Sequence, residues 1–109
     1  MKRAITYSRA TRSWQYAGPQ RPAMEDFWLS HTAGGLGAEI VAAFDDYVDH
    51  TELPYRPGLD AAVEYCEQHQ VDFLIVYWLL SITRPGFDLQ AFEYRLARAG
   101  TQLITCHEC

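Results

Sequence analysis

Lysine is nearly missing from this chain: Lys2 is the single one, and the other eight basic residues are arginines. Planar guanidinium forks suit bidentate contacts to anions better than an ammonium does. A basic surplus is also missing. The formal net charge is -5 over 109 residues, so the molecule as a whole repels phosphate backbones, and any nucleic-acid contact has to come from a local patch. No apolar run approaches the ~20 residues that span a bilayer, which excludes a helical membrane anchor. No signal peptide precedes the first strand-like run, and the cysteines Cys66, Cys106 and Cys109 are odd in number. A soluble, cytoplasmic, reduced protein is the expectation. Repeats, linkers and low-complexity stretches are lacking too, and this length leaves room for one compact domain. Hydrophobic residues make up 49% and aromatics 14%, enough for a packed core and too much for a disordered chain.

The pattern along the chain alternates strands and helices. Arg3 to Tyr7 is short, β-branched and aromatic, and reads as a first strand that runs into a polar segment from Ser8 to Ser13. After Gly18, Pro19 and Pro22, the residues Met24, Phe27, Trp28 and His31 fall on one helical face, ended by Gly34 and Gly35. Ala38 to Phe44 reads as a second strand ending in the acidic pair Asp45 and Asp46, followed by a polar loop through His50, Glu52 and Pro54. Pro57 suits a first helical turn, and Leu59, Ala62, Val63 and Cys66 form the next apolar stripe. Val71 to Leu80, the most apolar run, predicts a central strand covered on both faces. Pro85 and Gly86 break the chain. Asp88 can cap a third helix bearing Leu89, Phe92, Leu96 and Ala99, and Gly100 closes it before a last strand from Thr101 to Thr105. The order β-α-β-α-β-α-β predicts a single three-layer α/β domain with a parallel sheet of about four strands, right-handed crossovers, and ligand groups at the carboxyl ends of the strands.

Three arginines fall at such places: Arg9 after strand one, Arg56 before helix two and Arg84 after strand three. They can converge on one anion, with Ser8, Thr11 or Ser13 as hydroxyl neighbours and Asp46 as counter-charge. The plainer alternative is that each is a solvated residue or part of a simple ion pair with the surplus carboxylates.

The motifs Tyr7-Ser8-Arg9-Ala10-Thr11, Arg56-Pro57-Gly58-Leu59, and Val71-Asp72-Phe73-Leu74-Ile75-Val76 followed by Ile82-Thr83-Arg84 resemble the serine recombinase family of resolvases and invertases over nearly the whole chain. Gly100-Thr101-Gln102-Leu103 and Glu108 fill the family's closing pattern. The resemblance implies that Arg9 contacts the scissile phosphate, that Gln15 is a polar helper, that Asp46 is the acidic residue after strand two, and that Arg56 and Arg84 clamp phosphate. It places Thr11 where the family has its serine nucleophile, and Leu80-Ser81 where the family has an Asp-Arg pair. The family reaction is transesterification, in which a hydroxyl attacks DNA phosphorus while arginines neutralise the transition state. A threonine methyl restricts χ1 and crowds an in-line approach. Loss of one charge-stabilising arginine costs on the order of 10² to 10³ in rate.

Family enzymes also have a long assembly helix after the last strand and usually a separate DNA-reading domain. This chain is expected to be a single resolvase-like domain over residues 1–109 without them, and hence not an autonomous recombinase. The expectation is an altered recombinase-like domain that is regulatory or accessory in recombination or mobile-element biology. It would bind DNA phosphate or another anion and need no cofactor. Self-association as a homodimer is expected, because a domain without its assembly helix leaves apolar area uncovered. Two other readings stand beside it: a protein-interaction module with a vestigial anion pocket, and a residual phosphoester transesterase using Thr11, Ser8 or Ser13.

Other signals carry less. Cys106, His107 and Cys109 group three metal-capable ligands, but the spacing matches no zinc pattern and a second cysteine pair is lacking, so the segment reads as a frayed terminus and no metal site is assigned. Cys66 belongs to the core. The pair Asp45 and Asp46 is reminiscent of phospho-acceptor receiver domains, but there the acidic pair follows the first strand and a late lysine completes the site. Gly34-Gly35-Leu36-Gly37 precedes a strand and reads as a turn, not a phosphate loop. Trp14, Tyr16 and Trp78 read as core or interface anchors before a stacking surface.

Overall fold

A computed structural model describes residues 1–11, 23–48, 57–78 and 88–107, with the backbone alone at residues 9–11, 23–26, 46–48, 57, 78 and 107. Its elements are β1 (Lys2–Thr11), α1 (Ala23–Gly35), β2 (Ala38–Val48), α2 (Pro57–Gln68), β3 (Phe73–Trp78), α3 (Leu89–Arg98) and β4 (Gln102–His107). All ladders are parallel and the strands lie in the order β2-β1-β3-β4. Helix α1 covers one face, while α2 and α3 cover the other. The expected three-layer architecture with four parallel strands is therefore what forms.

The period of two along each strand sorts the core into two halves. On the α2 and α3 side lie Ile5, Tyr7, Leu74 and Val76, packed against Leu59, Ala62, Val63, Cys66 and Leu96. On the α1 side lie Ala4, Phe73 and Ile75, packed against Leu29, Ala33 and Ala38. Strand β3 feeds both halves, which explains its near-continuous apolar sequence. The stripe expected for α2 is the one buried, and so is Leu96 of α3.

Local chemistry sets the ends of α3. Asp88 adopts an extended conformation and its Oδ1 accepts from the Ala91 amide at 3.0 Å. At the other end Gly100 takes φ +83, its amide donating to Ala97 O at 3.0 Å while the Thr101 amide donates to Leu96 O at 2.9 Å. This double closure needs a left-handed residue, which glycine adopts without a Cβ penalty.

Several sequence expectations are corrected. Strand β1 continues through Thr11 and β2 through Val48, so residues read as a polar edge and a terminal acidic pair lie within the ladder. Ladder pairing, from Ser8↔Asp45 to Thr11↔Val48, overrides their polar composition. Strand β3 begins at Phe73 instead of Val71, and β4 is shifted to run from Gln102 to His107. The face of α1 that meets the sheet carries Leu29 and Ala33, not the aromatic stripe. Phe27 is 61% exposed, Trp28 half-buried and His31 exposed. These three rings contact one another, with Trp28 edge-on to both and Phe27 stacked on His31. Small Ala33 lets the helix approach the sheet where bulky rings would hold it away. Cys106 is no frayed residue: it sits in β4, its thiol 3.1 Å from Thr32 Oγ1 and donating to Trp28 O at 3.6 Å.

Candidate functional site

The order β2-β1-β3-β4 reverses the direction of winding between β1 and β3, which makes their carboxyl ends the switch point of the sheet. The register shows a physical opening there. The β1–β3 ladder ends at Tyr7↔Val76, whereas β1–β2 continues for four more pairs and β3–β4 continues to Trp78↔His107. Beyond Tyr7 and Val76 the sheet is thus two separate ribbons. On the facing sides of that fork the main chain no longer pairs β1 with β3.

Arg9 and Thr11 both lie on the β1 ribbon past the fork, and Arg9 is the register partner of Asp46 on β2. The sequence-predicted Arg9, Thr11 and Asp46 thus share one end of one strand pair. Trp78 ends the described part of β3 on the opposite ribbon. Gln15, Arg56 and Arg84 themselves lie outside the described residues, as do Ser13, Ser81, Trp14, Tyr16 and Cys109. Ser8 is described and is only 3% exposed, a poor position for a hydroxyl that must reach a bulky phosphodiester.

The opposite end of the sheet is closed. The Asp72 amide donates to Arg3 O at 2.8 Å, the Gln102 amide to Asp72 O at 2.9 Å, and the Lys2 amide to Gly37 O at 3.2 Å. Asp72 Oδ2 also accepts from the Arg3 amide at 2.9 Å. Between the last turns of α2 and α3 lies a groove of about 410 Å³ lined by Glu67, Tyr94, Arg95, Arg98 and Ala99. Arg95 grips Glu67 there in bidentate fashion, Nε to Oε2 at 2.9 Å and Nη2 to Oε1 at 3.1 Å. That hydrogen bonding holds the Glu67 carboxyl below the usual carboxylate range and raises Arg95. Arg95 also sits in the last turn of α3, where positive charge opposes the partial negative charge of the helix carboxyl end. Sequence reasoning missed the pair because Glu67 and Arg95 are remote in the chain. Among the described residues, no group of three or more His, Cys, Asp or Glu side chains gathers as a metal site, and no helix is long and apolar enough to cross a membrane.

The described residues form a parallel α/β domain whose sheet forks at its switch point, with Arg9, Thr11 and Asp46 on one strand pair. The chain belongs to the family described as "Resolvase, N terminal domain", whose model matches residues 4–109. Its structure is similar to the C-terminal catalytic domain of ISC1926 TnpA, an IS607-like serine recombinase, with a TM-score of 0.78 and 20% identity over 97% of this chain and 71% of that one. It is similar also to a resolvase family site-specific recombinase from Streptococcus pneumoniae, with a TM-score of 0.75 and 18% identity over 97% and 72%. The N-terminal catalytic domain of TP901-1 integrase gives a TM-score of 0.70 and 16% identity over 96% and 77%. At these identities the likeness is one of fold. No curated protein matches the chain in sequence.

Proposed function

We propose that this serine-recombinase-type domain is an accessory or regulatory protein of DNA recombination or mobile-element biology, one that holds a phosphate oxyanion but does not cut strands efficiently. The observation that carries the reading is the fork between β1 and β3, with Arg9 and Thr11 on one ribbon in register with β2 at Asp46 and Val48. In this reading Arg9, Arg56 and Arg84 neutralise the oxyanion, Gln15 supplies a further polar contact, and Asp46 orients the arginine beside it. Thr11 occupies the nucleophile position. Its secondary hydroxyl would have to approach phosphorus in line with the leaving oxygen, and the β-methyl removes rotamers that make that approach open. The domain acts as a homodimer in a reduced, cytoplasmic setting.

The test separates binding from cutting. Phosphate or a short DNA duplex is expected to bind the native protein and to bind Arg9→Ala at least tenfold more weakly, read by calorimetry. Incubation with supercoiled or nicked DNA is expected to give no covalent protein–DNA adduct on denaturing gels. An adduct whose yield rises in Thr11→Ser would replace the accessory reading by that of a residual transesterase. Failure of the native protein to bind any oxyanion would remove the pocket from the account.

A second reading, a protein-interaction module with a vestigial pocket, is favoured by one observation, the cluster of exposed Phe27 and His31 around half-buried Trp28 on α1. It predicts that Arg9→Ala leaves biological activity intact while Phe27→Ser abolishes it.

A further inference from the structure

We draw no further inference here: the strongest candidate, the groove between the last turns of α2 and α3 lined by Glu67, Tyr94, Arg95 and Arg98, carries nothing, since Arg95 is engaged by Glu67, both arginines answer the carboxyl end of α3, and nothing in the structure shows what occupies the groove.

Discussion

The two ends of this sheet are built on opposite terms. At the amino end all four strands are knit together: Lys2 bonds to Gly37, Arg3 to Asp72 through both backbone and carboxylate, and Asp72 to Gln102. At the carboxyl end the central ladder stops at Tyr7↔Val76 and the strands part into two ribbons. The stitched end ties all four strands to one another, whereas at the parted end β1 and β3 no longer pair past Tyr7 and Val76. Binding sites of open parallel sheets form at such switch points because the connections there leave in opposite directions. Stability and the proposed site thus fall at opposite ends of the strand axis.

The largest blow to that separation is one struck beneath both ends. Leu74 is fully buried in β3 and is the register partner of Ile5, midway between base and fork. Leu74→Ala is expected to cost about 2–5 kcal/mol, by lost transfer energy plus the cavity left behind. Chemical denaturation should show the midpoint falling with little change in slope. A loss below about 1 kcal/mol would mean that β3 is not the shared centre of the two half-cores.

A sharper comparison sets one substitution at each end. Asp72→Ala removes the carboxylate that accepts from the Arg3 amide and is expected to cost about 1 kcal/mol while leaving oxyanion affinity unchanged. Arg9→Ala is expected to do the reverse, weakening oxyanion binding while stability moves by no more than about 0.5 kcal/mol. Thermal melts and calorimetry on the same two variants read both quantities. Equal effects on both readouts would show that the ends are coupled rather than divided.

Much of this division was legible in the sequence. The helix α2 stripe, the Asp88 cap, the Gly100 stop and the doubly covered β3 each rest on local chemistry, and each forms as expected. The motifs around Arg9, Arg56 and Arg84 carried the family. What local chemistry could not supply was anything decided by pairing at a distance. The polar residues Ser8 to Thr11 and the pair Asp45 and Asp46 look like loop when each is read alone, but each is a strand because the other is. The aromatic residues of α1 formed as regular a helical face as Leu29 and Ala33, and packing against the sheet took the smaller set. The fork itself is a difference between two ladder lengths, which no single segment encodes.

The smallest effect concerns the stitched half of the core and appears only in alkali. Cys66 is 1% exposed, and burial is the main reason its thiol titrates above the ordinary cysteine range, partly opposed by a hydrogen bond with Thr101. In the unfolded chain the thiol ionises near the usual value of about 8.5, so as pH rises past that point the unfolded state sheds its proton first and gains on the native one. The contribution is absent at neutral pH, begins near the unfolded value and levels off only above the raised native value. A Cys66→Ala chain carries a constant cavity penalty instead. The stability difference between native and variant should therefore narrow from pH 8 upward in equilibrium denaturation, while an alkylating reagent modifies Cys66 more slowly than the partly exposed Cys106. A gap that stays constant through this range would place Cys66 in a more polar setting than the packing of α2 against β1 and β3 implies, and with it would go the view of that half-core as the dry support on which the fork rests.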